Sequence, residues 1–275
     1  MPTLLGDQTS GSVEPSKPGR ITRWGGALTK RRLPEHDETI ALLSDEDRRG
    51  LCSFWLSRSS GERRVSDSMA VIRDALGKLG EPAPLVDLAE RAIDDELRHA
   101  QLWHLGAQRF SPDGQGTPQY WPPFVPHYDA PDEVRYRLFV IAECVFNETT
   151  ASTFLQTCLR LARGPLAVAV LREILSDEID HGRIGWAFLA RQSRPHRDEL
   201  QPWLLPMLRA HWNEWTRALH DVPDSYAAHG IPSKADTSEA IVASLRDVIV
   251  PGLKDHGFAT GPIDAWLEER VQEAG

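Results

Sequence analysis

Cysteine is scarce in this 275-residue chain: Cys52, Cys144 and Cys158 make up the whole set, and none belongs to a CxxC arrangement. An odd, sparse complement does not build a disulfide framework and fits a reducing cytoplasm, where we expect the protein to reside. Positive charge is also in short supply. The 31 Lys and Arg against 40 Asp and Glu leave a net charge of -9 and a pI near 5.6, which argues against a phosphate-binding surface and so against a nucleic-acid partner. The one basic run, "TKRR" at 29–32, is too short to reverse that. The N-terminus has no apolar run long enough for a signal peptide, and no later stretch reads as the roughly 20 apolar residues of a membrane span, so no membrane partner is expected. Also missing are GxxxxGK, GxGxxG, HExxH and GxSxG, which removes support for nucleotide-dependent and serine-hydrolase chemistry. Residues 1–22, rich in Ser, Gly and Pro, read as a disordered leader.

What is present is helical periodicity. Apolar residues recur at helical spacing from Leu51 through Trp55, Val65, Met69, Ile72 and Leu76, predicting a helix over 45–78. A second, over 83–109, carries Leu85, Leu88, Ala92, Ile93, Ala100 and Trp103 on one stripe, and Gly80 and Pro82 mark the turn between the two. A stretch rich in Pro and aromatics over 111–133 is too long for a hairpin loop and suits a crossover. A third helix over 131–162 and a fourth over 165–192 follow, separated only by "RGP". Weaker helical stretches over 197–221, 238–254 and 262–273 complete the chain, the last two opened by Thr237 or Ser238 and by Pro262. Nothing alternates with a period of two. The expectation is an all-α protein: a four-helix bundle over 45–192 with a long crossover, and additional C-terminal helices over 193–275 packing on it.

Two short stretches hold the chemistry. "DDELRHA" places Glu96 and His99 one helical turn apart, and "SDEIDHG" repeats the spacing with Glu178 and His181. One ExxH arises readily by chance in a chain this long, so position has to carry the case. Each ExxH helix is preceded by a partner with an acid inside its apolar stripe: Glu62 between Trp55 and Met69, and Glu148 between Val145 and Ala151. A carboxylate buried alone on such a face is unstable without a positive partner. In an antiparallel helix pair, residues equidistant from the turn lie at one height. Glu62 and Glu96 are centred on residue 79, inside the first turn, and Glu148 and Glu178 on residue 163, inside the second. Joining the hairpins gathers four carboxylates and two imidazoles in one bundle core, and two divalent cations would balance the charge.

In the order Glu62, "ELRH", Glu148, "EIDH", the chain resembles the ferritin-like carboxylate-bridged di-iron superfamily, in which two helices give one Glu each and two give an ExxH. The likeness covers about two-thirds of the chain. It implies that Glu62, Glu96 and His99 serve one metal and Glu148, Glu178 and His181 the other, with Glu96 and Glu178 bridging. "DELRH" looks like the DExRH element of bacterial multicomponent monooxygenases, where the Asp is a hydrogen-bond partner of the ligand shell; Asp95 and Asp177 hold that position, although the second copy has Asp180 in place of the Arg. Ser152, one turn after Glu148, occupies a place where some oxygen-activating members have a hydroxyl near the iron. The third His of the N-oxygenases is absent, Ile174 standing there instead.

The function this resemblance implies is that of an oxygen-dependent di-iron oxidase or oxygenase, which hydroxylates, desaturates or otherwise oxidises a small organic substrate through a peroxo-di-iron intermediate. The implied cofactors are two Fe ions, with Mn also compatible and O2 as co-substrate; the implied partners are the substrate and an electron donor, either a reductase or a small reductant, with a homodimer as the assembly it allows. The competing readings are an iron-handling ferroxidase or storage protein and a di-manganese peroxide-dismuting enzyme. Trp55, Met69, Trp103, Cys144, Val145, Ala151 and Ile174 are expected to wall the centre with apolar surface. Glu143 reads as a solvated or locally paired acid, His104, His127, His211 and His256 as surface or loop residues, and Tyr120, Trp121 and Phe124 as packing or a cover over the substrate entrance.

Overall fold

The computed structural model describes residues 33–111, 113, 116–123, 128–217 and 219–274, and every regular element among them is helical. The expected leader over 1–22, the "TKRR" run, Phe124 and His127 lie outside the described residues. A single turn, α1 (Glu38–Ala41), precedes the first long helix, α2 (Asp45–Lys78). Ser44 starts α2 because its side chain accepts from the Asp47 amide, and Asp45, Glu46 and Asp47 place negative charge at the positive end of the helix dipole. The helix ends at Leu79, followed by Gly80 at φ 69°, a left-handed residue that suits glycine. The chain then returns as α3 (Ala83–Phe110). Buried serines let these helices approach closely: Ser59 Oγ donates to the Ala100 carbonyl at 2.7 Å and Ser66 Oγ to the Ile93 carbonyl at 3.0 Å, so neither hydroxyl is left unsatisfied.

Beyond the crossover, α4 (Asp132–Val140), a π-helical segment (Ile141–Asn147) and α5 (Glu148–Leu161) run on as one continuous helix, and α6 (Pro165–Ala190) packs back along it. The π segment was not expected from the sequence. The helix Asp132–Leu161 is long and apolar enough by composition to cross a membrane, but the apolar window that passes the test is 67% buried inside the protein. α3 packs on α6 and α2 on α4, which closes the four long helical segments around a shared interior. α6 meets the π segment at Gly185. A Cβ there would lie 2.5 Å from the backbone of Cys144 and 2.7 Å from that of Val145, so only hydrogen allows this crossing.

The C-terminal part comprises α7 (Arg194–Arg217), a 3-10 turn (Asp224–His229), α8 (Lys234–Ala243), a second π segment (Ser244–Ile249), α9 (Val250–Asp255) and α10 (Gly261–Ala274). α8 begins several residues earlier than expected. Ser233, not Thr237 or Ser238, is the cap, its hydroxyl accepting from the Asp236 amide at 3.1 Å, while Thr237 sits one turn inside and donates to the Ser233 carbonyl. These elements lean on the third long helix, α7 against the π segment and α8 against α5. A buried polar knot ties them to it: Thr150 Oγ1 lies 3.0 Å from both His211 Nε2 and Ser244 Oγ. His211 is therefore not the surface residue expected, because Trp215 and Phe146 pack on its ring and burial pushes its pKa down to about 3.

Two outcomes follow from this packing. Gly185→Ala is expected to cost about 1–3 kcal/mol of stability, because the obstacle is backbone that cannot rotate away; urea unfolding checks it, and an unchanged midpoint would contradict the close crossing. In the folded state His211 stays neutral well below its ordinary pKa, so the unfolded chain takes up a proton first as pH falls. The stabilisation is present above about pH 6.5 and decreases by roughly 1.4 kcal/mol per pH unit towards pH 3. Relative to His211→Gln, the wild type should lose stability faster over that window.

Candidate metal centre

Six side chains from four helical segments meet in the interior: Glu62 from α2, Glu96 and His99 from α3, Glu148 from the first turn of α5, and Glu178 and His181 from α6. They form two overlapping quartets, Glu62, Glu96, His99 and Glu178 on one side and Glu96, Glu148, Glu178 and His181 on the other, each with its donor atoms within 4.8 Å of one another. That spread suits ligand atoms arrayed about 2.0–2.3 Å from a common point. The two shared carboxylates divide their oxygens between the quartets. Glu96 turns Oε1 to His181 Nδ1 at 2.8 Å and Oε2 to His99 Nδ1 at 3.4 Å; Glu178 turns Oε1 to His99 Nδ1 at 3.3 Å and Oε2 to His181 Nδ1 at 3.6 Å.

Both imidazoles present Nδ1 to the interior, and their outer nitrogens face the aspartate of the opposite motif. His99 Nε2 lies 3.3 Å from Asp177 Oδ2 and His181 Nε2 lies 3.7 Å from Asp95 Oδ2. Arg98 joins the two halves from behind. It pairs with Asp177, reaches Glu173 Oε1 at 3.3 Å and Asp95 Oδ1 at 3.5 Å, so one guanidinium serves both aspartates. The missing second arginine is thereby accounted for: Asp180, which stands in its place, is an exposed residue paired with Arg183. Trp103 was expected only as apolar wall, yet its Nε1 also donates to Glu62 Oε1 at 2.8 Å.

Five of the six residues are no more than 2% exposed, and Glu62 alone is half-buried. Both oxygens of Glu96, Nδ1 of His99 and both ring nitrogens of His181 are buried without a correctly angled hydrogen bond. Atoms this close to one another and still unsatisfied are arranged for something placed between them, and a carboxylate and imidazole donor set suits divalent iron or manganese. The residue types and the converging orphan atoms therefore fit a metal pair.

Without cations, protons have to do the balancing. Burial, then the charges of Glu96 and Glu178, push the Glu62 carboxyl up to about 8, and burial with Glu178 and Glu96 pushes Glu148 well above its ordinary value. Burial opposes charge on His99, but Glu178 and Glu96 outweigh it and raise the ring to about 9; His181 is raised well above its usual value, mainly by Glu96. Glu178 is held below the carboxylate range by the two imidazoles despite its burial. The metal-free core is thus a proton-filled site with imidazolium standing in for metal.

The apolar wall residues divide between two core clusters that meet at this centre: Met69, Cys144 and Val145 in one, and Trp55, Trp103 and Ile174 in the other, with Trp55 and Trp103 edge to face at 4.7 Å; Ala151 is half-buried. Ser152 stands one turn beyond Glu148 and is half-buried. Glu143 is locally paired as expected, accepting from Asn147 Nδ2 at 3.0 Å, but it is half-buried and burial raises it to about 7. An i→i+5 segment advances less per residue than an α-helix, so Glu143 turns nearer to the face of Glu148 than the roughly 140° that α geometry gives. Of the other histidines, His104 bonds the Gly116 carbonyl and His256 the Gly252 carbonyl, while His229, which no motif marked, is buried against Phe110. Tyr120 is exposed and donates to Asp67.

Neither a scan against models of protein families nor a search of curated proteins returned a match to this chain.

Filling the centre with divalent ions requires the protons on His99, His181, Glu62 and Glu148 to leave. Metal affinity is accordingly expected to rise with pH between 6 and 8, and binding to release protons. Calorimetry in two buffers of different ionisation enthalpy measures the release directly; a pH-independent affinity with no proton release would contradict the charge pattern of the site.

Proposed function

We propose that the chain is a ferritin-like four-helix bundle that holds two iron ions and carries out an O2-dependent oxidation of a small organic substrate. The observation that supports it most is the way Glu96 and Glu178 each turn one oxygen to each quartet, the arrangement expected of carboxylates that bridge two metals. Glu62, Glu96 and His99 would hold one ion and Glu148, Glu178 and His181 the other. Bound there, a ferrous pair would supply electrons to O2 and so generate an oxidant for the substrate.

The chain's own residues would do the rest. Asp177 would fix the tautomer and plane of His99, Asp95 stands at 3.7 Å behind His181, and Arg98 pairs with both aspartates. Trp103 holds one oxygen of Glu62 and leaves the other free to turn. Trp55, Met69, Val145 and Ile174 keep water away from the centre. Ser152, one turn beyond Glu148 on α5, would present a hydroxyl on the side of the helix that carries that acid. For a hydroxylation the balance is one O2, two electrons and two protons per substrate, giving the alcohol and one water, so an electron donor is a required partner.

Anaerobic Fe(II) titration followed by Mössbauer spectroscopy tests this reading. The expected result is two high-spin ferrous ions per chain that oxidise together on exposure to O2, and loss of at least one of them in Glu148→Ala. Full iron content in that variant would sink the assignment. Rapid O2 evolution from peroxide by Mn-loaded protein would replace it with a dismutase, and a large hollow oligomer that accumulates iron would replace it with a storage protein.

A further inference from the structure

The seam between α2 and α5 holds a second feature. These two helices hardly touch: α2 leans on α4 at one end and separates from α5 at the other. Where they separate there is a cavity of about 50 Å³ lined by Phe54 and Arg58 from α2, Phe154 from α5, and Val222, Ile231 and Lys234 from the chain that closes it below. We propose that this cavity holds the head group of the substrate, that the substrate is a short-chain carboxylate, and that its alkyl tail runs along α2 to Glu62. The substrate role rests on the function proposed above; the carboxylate site does not.

Charge selects the head group. Among the described residues no acidic side chain lines the cavity, and neither Arg58 nor Lys234 has an ion-pair partner. The Arg58 guanidinium lies over the Phe154 ring at 4.3 Å from its centroid. With its face committed to the ring, its edge remains, and that edge is the planar fork that pairs with a carboxylate through two parallel hydrogen bonds. Size agrees. A cavity of about 50 Å³ exceeds the roughly 10–15 Å³ that one water needs, which leaves room for a carboxylate.

Position selects the tail. Arg58 and Glu62 are one turn apart on the same face of α2, a rise of about 6 Å, and Phe154 lies about 9 Å along α5 from Glu148. A head group at Arg58 thus places roughly the fourth to seventh carbon of a chain beside the candidate metal centre. Along that line a methyl added at Gly61 would meet nothing within 4 Å, and its neighbour Glu62 is the only one of the six proposed ligands that is not fully buried. Ala151 and Ser152, both small and half-buried, stand on α5 between Glu148 and Phe154. Apolar walls and small side chains suit an unbranched alkyl chain.

The test uses hexanoate, 1-hexanol and hexyl phosphate with the full-length, metal-free protein, followed by ligand-observed NMR. Hexanoate is expected to bind at least ten-fold more tightly than 1-hexanol. Arg58→Gln and Lys234→Gln should each weaken hexanoate about ten-fold and leave 1-hexanol unchanged. Gly61→Leu, which favours helix and whose Cβ meets nothing within 4 Å, should weaken both ligands while raising the melting temperature. Equal binding of hexanoate and 1-hexanol, indifference to both charge variants, or tighter binding of hexyl phosphate than of hexanoate overturns the carboxylate site. In Mn(II)-loaded protein the terminal methyl of hexanoate should relax faster than its C2 protons, and the reverse order overturns the proposed direction. If the charge variants behave as expected but no Mn(II) binds, the di-metal reading falls, and the substrate role with it, while the carboxylate site stands.

Discussion

Four carboxyl groups packed around Glu96 and Glu178 in a water-poor interior are the constraint to which the rest of this structure answers. Like charges at these separations cannot all ionise unless cations stand among them. The chain supplies two such cations when His99 and His181 are protonated, which leaves Glu62 and Glu148 to keep their protons. Two divalent ions can replace those protons charge for charge. A core built this way is poor as a source of stability, since apolar residues of similar volume would fill it at lower cost. Its retention in a helical interior otherwise packed with Trp, Phe, Leu and Ile points to use rather than to support.

Holding such a centre needs help from residues that never face it. Asp95 and Asp177 each sit beside a glutamate of their own motif but address the imidazole of the other, so each ExxH helix is oriented by its neighbour. The two helices are thereby coupled through their side chains as well as through packing. Arg98 is shared by both aspartates and by Glu173, which explains how a single "DELRH" can coexist with a second motif lacking the arginine. On the third helix the equivalent support comes from outside the four long segments. His211 of α7 and Ser244 of the second π segment converge on Thr150, two residues from Glu148, so the C-terminal elements brace the helix that carries that acid.

The hairpin centring could be read from the sequence because it depends only on counting residues to a turn, and the turns are marked by Gly80 and by "RGP". All six acids and imidazoles singled out by that count come together. The helix ends expected at 45–78, 83–109 and 165–192 fall within two residues of those observed for the same reason: caps, glycine and proline act locally. The π segment was not legible. A one-residue widening leaves the apolar pattern of Ile141, Cys144, Val145 and Phe146 intact, and what requires it is the approach of Gly185 on another helix. Glu143 was misplaced by angle as a consequence. His211 and the start of α8 were missed because burial by a distant element, and a cap four residues upstream of the apolar run, leave no periodic trace.

The exposures divide the centre into a closed back and an accessible front. Behind the imidazoles, the seam between α3 and α6 is sealed by Asp95, Asp177, Glu173 and Arg98, charged groups that satisfy one another and exclude any apolar guest. On the other side, between α2 and the third long helix, stand Gly61, Ala151 and Ser152, and Glu62 is the only one of the six that is partly exposed. This polarity does not follow from the four-fold repetition of acids, which is nearly symmetric. It follows from second-rank choices: aspartate before each ExxH, glycine before Glu62, and a tryptophan that fastens just one of the Glu62 oxygens. The least buried of the six side chains therefore lies on α2, the helix that turns glycine and not a charged seal towards this side of the centre.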